Sequence, residues 1–176
     1  MLESVHIFLD LTQGSSQVIN VSISWMPIQN SQEISIPTWT PGSYKIRDHS
    51  QYIYNLTIEQ NNIPIAYTKT ETNKWKFVCS KSKKITLNYS VEANDLTVRT
   101  SYIDNEYALL CMPSLIFLVN GYRNHQHKLN VKHHKDWKLY IPNVKLLEFS
   151  SYDLLIDSQI ICGQIQSQSF TIKHCQ

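Results

Sequence analysis

Glycine is scarce in this chain, at four residues in 176. That leaves little material for a phosphate-cradling loop, and no Walker sequence is present. No HExxH occurs, so the commonest zinc-peptidase helix is missing, and no GxSxG marks a nucleophile elbow. Cysteine is sparse as well. Cys79, Cys111, Cys162 and Cys175 never fall as CxxC, which removes a zinc ribbon and a dithiol redox motif. The net charge is only +2, from 16 basic and 14 acidic residues, and favours neither nucleic acid nor an anionic membrane as partner. The longest apolar stretch, LLCMPSLIFLV at 109–119, is too short and too interrupted to span a bilayer. The opening MLESVHIFLD has no basic start and no cleavage pattern, so no signal peptide is read. The expectation is a cytoplasmic protein with reduced thiols.

What the chain has instead is alternation. Val5, Ile7, Leu9 and Leu11 share one face of a predicted strand, and Ile19, Val21, Ile23 and Trp25 share one face of another. Tyr52, Tyr54, Leu56 and Ile58 continue the series, as do Ile85, Leu87, Tyr89 and Val91. Shorter strands are expected at 74–78, 114–119, 136–141 and 169–173. A period of two, broken by polar turns such as TQGSSQ (12–17) and EQNNIP (59–64), predicts packed antiparallel sheets. The fold class expected is therefore all-β, an antiparallel β-sandwich with at most one or two short helical turns. The best helical candidate is SSYDLLID at 150–157, capped by Ser150 or Ser151. No internal boundary is visible, so residues 1–176 are read as one domain.

Two clusters invite a chemical reading. His125, His127, His133 and His134 fall within RNHQHKLNVKHHKDW, and His-x-His on a strand can chelate a metal. Only Asp136 is near enough in sequence to complete such a set, and a hairpin with a solvated polar side accounts for the same pattern. Arg123, Lys128, Lys132, Lys135 and Lys138, interleaved with Tyr122 and Trp137, suit a single nucleic-acid strand or simply the outer face of paired strands. In DLTVRTSYIDNEYALL (95–110), Arg99 either pairs with Asp95, Asp104 or Glu106, or reaches a carboxylate across an interface.

The most unusual segment is a corner, IPTWTPGSYKIRDHSQYI at 36–53. Pro41-Gly42 suits the centre of a type II turn, where glycine readily takes a positive φ. Pro37 ends strand pairing by lacking an N–H. Trp39 and Tyr44 then either plug the end of the sandwich or stand as rigid amphipathic surfaces, and Arg47 and Asp48 are placed to lock the exit by an ion pair and hydrogen bonds.

This corner resembles the signature of the N-terminal domain of the glycyl aminopeptidase family, metallopeptidase family 61. NDLTVRTSYID is similar to the family's Asp-x-x-Val-Arg strand with its following tyrosine, Tyr102. YDLLIDSQIICG is similar to its Tyr-Asp-x-Leu-x-Asp-Ser-Pro segment, which includes Asp157. Thr38 and Gln159 depart from the usual aliphatic residue and proline. The resemblance implies a non-catalytic β-domain followed by a thermolysin-like zinc domain with HExxH and by a PDZ domain. It implies no catalytic or metal-binding residue here, and zinc as a cofactor only downstream. The partners implied are the chain's own downstream catalytic domain and, in the full-length protein, a peptide substrate. Trp39, Thr40, Pro41, Gly42, Ser43, Tyr44, Arg47, Asp48, Arg99, Tyr102 and Asp157 are the candidate interface or substrate-cleft residues, and Phe8, Ile116 and Leu118 are candidates for an apolar docking surface. The alternative is a stand-alone module that binds peptide or protein through the corner or an open sheet edge.

Overall fold

The computed structural model describes residues 4–40, 45–142 and 146–166. The first half of the chain forms β1 (Val5–Asp10), β2 (Val18–Trp25), β3 (Ser31–Ser35), β4 (Ile53–Gln60), β5 (Ile63–Pro64), β6 (Tyr67–Glu71) and β7 (Lys74–Val78). The second half adds β8 (Ile85–Glu92), β9 (Tyr102–Ile103), β10 (Tyr107–Cys111), β11 (Leu118–Val119) and β12 (His127–Lys132). It ends with β13 (Lys138–Tyr140), β14 (Glu148–Phe149) and β15 (Gln159–Gly163). The α-helices are single turns, α1 (Met112–Leu115) and α2 (Tyr152–Ile156), and two 3₁₀ turns lie at Gly14–Ser16 and His49–Tyr52. None of these helices is long and apolar enough to cross a membrane.

The strands build a seven-stranded sheet in the order β14-β12-β1-β2-β8-β4-β5 and two four-stranded sheets, β13-β15-β10-β9 and β11-β3-β7-β6. The expected all-β sandwich is present. One pairing departs from the antiparallel expectation, because β12 runs parallel to β1, with Val5 opposite His127. The long excursion through the smaller sheets returns the chain in the same direction, which a parallel pair requires and a hairpin cannot supply.

Alternation explains the large sheet. Val5, Ile7 and Leu9 are buried while His6 and Phe8 face out, and Ile19, Val21, Ile23 and Trp25 are buried opposite Val91, Tyr89, Leu87 and Ile85. Strand β4 breaks the pattern. Asn55 has φ +53°, and Asn55 and Leu56 together oppose Tyr89, a bulge that turns Tyr54 outward and packs Ile53 against the core. The predicted face of Tyr52, Tyr54, Leu56 and Ile58 is therefore split. Asn61 and Asn62, both with positive φ, form the tight turn that closes the β4–β5 hairpin.

The segment read as a strand at 114–119 is mostly not one. Pro113 lacks the N–H a ladder needs but suits a first helical turn, so Met112–Leu115 coil into buried α1 and only Leu118–Val119 pair. Ile116 is thereby fully buried and Leu118 partly so, which removes Ile116 from the expected docking surface and leaves Phe8 exposed. Three tyrosine hydroxyls tie this region down. Tyr89 donates to the Leu115 carbonyl at 2.5 Å, Tyr152 to that of Ile116 at 2.8 Å, and Tyr122 to that of Met26. Strand 136–141 shortens to β13, and the expected strand at 169–173 lies outside the described residues.

Helix α2 forms where predicted. Of the two serines, Ser151 is the cap, accepting the Leu154 N–H at 3.3 Å.

Candidate functional site

The histidines do not converge. His125 packs on Tyr122, His127 is buried beside Tyr152, and His134 meets Trp137 edge-on. Among the described residues no group of three or more His, Cys, Asp or Glu side chains is placed to hold a metal. The basic run is largely paired: Arg123 with Asp153 at 2.9 Å, Lys132 with Asp10 at 2.9 Å and Lys128 with Glu148 at 3.3 Å. Cys79, Cys111 and Cys162 are free thiols, and Cys175 lies outside the described residues.

The corner behaves differently. Trp39 is 56% exposed, so it does not plug the sandwich. Pro41, Gly42, Ser43 and Tyr44, with the expected type II turn, lie outside the described residues. After them the chain is tied back by the Arg47 N–H on the Thr38 carbonyl. Arg47 and Asp48 form no ion pair. Asp48 instead accepts the Ser50 N–H at 3.1 Å and the Ser50 hydroxyl at 2.6 Å, capping the 3₁₀ turn at His49–Tyr52. Capping satisfies two local donors at once, which a side chain turned towards Arg47 would forgo.

Among the described residues, three of the four buried side-chain polar atoms without a partner lie in this one segment: Thr40 Oγ1, Arg47 Nε and His49 Nε2. Each such atom costs on the order of 1–3 kcal/mol. Burial first, and the Arg47 guanidinium second, hold the His49 imidazole below its ordinary value. Burial does the same at His127. A histidine with a depressed folded pKa binds fewer protons folded than unfolded. Its stabilising effect is complete above pH ~7 and is lost as pH falls through ~6.5 and lower. The urea midpoint is therefore expected to drop between pH 7 and pH 5, and His49→Gln to shrink that drop.

Thr40 also lines a cleft of about 150 Å³. Its other walls come from Thr97 and Val98, from the end of β10 with α1 (Leu109 to Pro113), and from Ile156, Asp157, Ser158 and Gln159. The three segments that carry the family resemblance, far apart in sequence, thus meet at one hollow. The register of β10 on β15, with Cys111 opposite Gln159, closes one side. Thr97 Oγ1 accepts the N–H groups of Arg99 and Thr100, each at 3.2 Å, and shapes another. Beneath the floor, Ser101 and Ser114 clamp the Cys111 backbone: Ser101 Oγ accepts its N–H at 3.0 Å and Ser114 Oγ donates to its carbonyl at 2.8 Å. Burial pushes the Cys111 thiol up, so it lines the cleft as a small neutral group rather than a nucleophile.

Of the predicted residues, Thr40 and Asp157 line the cleft, and Trp39 and Arg99 directly adjoin lining residues. Arg99 is exposed and pairs with none of Asp95, Asp104 and Glu106. Tyr102 does not reach the cleft; its hydroxyl donates to Asp104 at 3.0 Å and its ring packs on Tyr107. Cys111 and Met112 escaped the sequence reading, since no motif spacing marks them and only strand register brings them here.

A family model, the Peptidase M61 N-terminal domain, matches residues 6–164. No curated protein sequence shows significant similarity to the chain. Among solved structures, an aminopeptidase N family protein of Idiomarina loihiensis is 26% identical with a TM-score of 0.85, over 95% of this chain and 30% of that one. An M1 zinc metallopeptidase variant of Deinococcus radiodurans, bound to a Tyr-Ser-Ala substrate, shares the fold at 6% identity and a TM-score of 0.54, over 92% of this chain and 42% of that one. Legionella pneumophila aminopeptidase A in complex with aspartic acid does so at 10% identity and a TM-score of 0.53, over 94% of this chain and 21% of that one. The chain therefore spans less than half the length of each of these proteins. With the family's segments gathered round one cleft and its model matching nearly end to end, the chain belongs to the peptidase M61 N-terminal domain family.

Proposed function

We propose that this chain serves as the non-catalytic N-terminal domain of a zinc-dependent aminopeptidase, the glycyl aminopeptidase of its family, and helps shape the substrate cleft of a downstream catalytic domain. The observation that carries the reading is the hollow formed by Thr40, Val98 and Asp157, whose surroundings leave apolar side chains in water. Val98 is 78% exposed, and Trp39, Leu96 and Leu154 are exposed with it. Exposed apolar groups gathered at a shaped hollow suit a surface that meets another domain. The described residues offer no donor set for zinc, so the reading assigns the metal, and the PDZ module, to downstream sequence.

The test is made in the protein encoded through and beyond codon 176. An in-frame HExxH with a downstream glutamate supports the reading, and a stop codon there favours the stand-alone peptide-binding module. In the two-domain protein, Trp39→Ala is expected to lower kcat/KM for a glycyl anilide by about tenfold or more, while shifting the urea midpoint little, because an exposed side chain contributes little to the fold. Unchanged activity per folded molecule would sink the proposal.

A further inference from the structure

We infer that the 176-residue chain pairs with a second copy of itself, face to face, through the outer side of the β13-β15-β10-β9 sheet. The register of that sheet carries the inference. Tyr140 stands opposite Ile161, Ile161 opposite Leu109 and Leu109 opposite Tyr102, so these four side chains form one row across all four strands. The residues beside them in the chain, Leu139, Ile160, Leu110 and Ile103, turn inward to the core, which leaves the row facing out. Tyr140 is 54% exposed and Ile161 38%. With strands about 4.8 Å apart, the row is about 15 Å long.

The other two sheets show how this domain builds a face for water. On the large sheet the outward rows run Asp10–Asn20–Ser90 and His6–Ser24–Thr86, and on the third sheet Glu33–Lys76–Thr68. Phe8 is exposed on the large sheet too, but it stands singly between Ser22 and Asn130. On the β13-β15-β10-β9 sheet, Lys138 is the one charged side chain among the outward positions of the four strands. A contiguous apolar row suits a covered surface.

The next row points to the occupant. Lys138 lies opposite Gly163 and Gly163 opposite Tyr107, whose carbonyl accepts the Asp104 N–H. The sheet thus has a basic edge at Lys138 and an acidic edge at Asp104 and Glu106. A two-fold axis running along the strands, between β15 and β10, lays β13 of one copy over β9 of the other. Tyr140 of one copy then meets Tyr102 of the other, Ile161 meets Leu109, and the basic edge meets the acidic one. The face is complementary to itself in polarity and charge. A four-stranded face about 15 Å wide falls short of the roughly 800 Å² per partner of a standard interface. The pairing is therefore weak, with a dissociation constant on the order of 100 μM.

The experiment is sedimentation equilibrium of the 176-residue chain from about 10 μM to about 1 mM. Reducing conditions keep the free thiols out of the result. The mean mass should climb from that of the 20.5 kDa chain towards twice it. Ile161→Lys and Tyr140→Glu should each weaken pairing about tenfold or more with an unchanged circular dichroism spectrum, since each sets a charge in the apolar row. Phe8→Lys, on the large sheet, should pair like the unaltered chain. Lys138→Glu should weaken pairing about threefold, and added salt should lessen that loss, because like charges then face each other. A single-chain mass up to about 1 mM overturns the inference and leaves the face to a different domain. Association undiminished in both Ile161→Lys and Tyr140→Glu overturns it, as does association that Phe8→Lys abolishes equally. Lys138→Glu pairing as tightly as the unaltered chain removes the two-fold arrangement and overturns it too. The proposed role at the substrate cleft stands apart from these outcomes, because it is read from the turnover of Trp39→Ala in a two-domain protein.

Discussion

Phe117→Ala is expected to destabilise the domain by about 3–5 kcal/mol. Phe117 is 1% exposed and stands edge-on between Trp75, at 5.1 Å, and Tyr89, at 5.0 Å. Trp75 belongs to β7 in one of the small sheets and Tyr89 to β8 in the large one, so the phenyl ring is one of the contacts through which the two layers meet, beside that of Trp25 with Phe77. Truncation removes the burial of the ring, the edge-to-face contacts and the filling of the space between sheets. The hole has little means of closing. Tyr89 is held by its hydrogen bond to Leu115, and Trp75 is covered by the Lys69 ammonium at 4.8 Å from its ring. For a chain of this length each kcal/mol lowers Tm by roughly 2–4 °C, so a drop on the order of 10 °C is expected. Val78→Ala, at an exposed position on β7, is the control and should stay within about 0.5 kcal/mol. A Phe117→Ala loss no larger than the control's would mean that the two layers are held elsewhere.

Gly14→Ala is expected to cost about 2–3 kcal/mol, from overpacking rather than from a cavity. A Cβ on Gly14 would sit 2.1 Å from the Asp104 carbonyl oxygen and 2.8 Å from its carbonyl carbon. Both are backbone atoms, so no side-chain rotation relieves the clash. Asp104 itself cannot move freely. Its N–H donates to the Tyr107 carbonyl at 3.0 Å, and its carboxylate accepts the N–H groups of Glu106 at 2.7 Å and Tyr107 at 2.9 Å. The 3₁₀ turn at Gly14–Ser16 and the β9–β10 turn must therefore separate. Urea denaturation measures the loss, and the amide resonances of residues 104–107 should shift in the variant and not in Ser16→Ala. Unperturbed resonances together with wild-type stability would show that the two turns are not in contact in solution.

The sites of both predictions show where reading by residue type stops. Gly14 looked like ordinary turn material within TQGSSQ, and nothing local announces that the chain passes over it near residue 104. Phe117 fell inside a segment read as a strand, whereas the Pro113 turn upstream and the pull of buried α1 leave it unpaired between two sheets. The same holds for Asn55, where a two-residue period hides a bulge until the register against β8 is known.

By itself the sequence determined the strands whose burial repeats every second residue: β1, β2 and β8 nearly residue for residue, β7 with them, and the short helix α2 with a serine cap at Ser150 or Ser151. It also determined the family, since the corner and two later segments carry that signature in side-chain identity and order. Both are local properties, set within a few residues by the pleat of a strand or the φ preferences of proline, and so are legible without a fold. Tertiary structure alone decided the parallel pairing of β12 on β1, the dispersal of His125, His127 and His134 onto separate aromatic rings while His133 turns to the His134 carbonyl, and the capping of the 3₁₀ turn by Asp48 in place of an ion pair with Arg47. It alone brought Thr40, Val98 and Asp157 to one hollow. Those outcomes depend on strand register between segments far apart in the chain, where a shift of one residue turns every side chain to the opposite face.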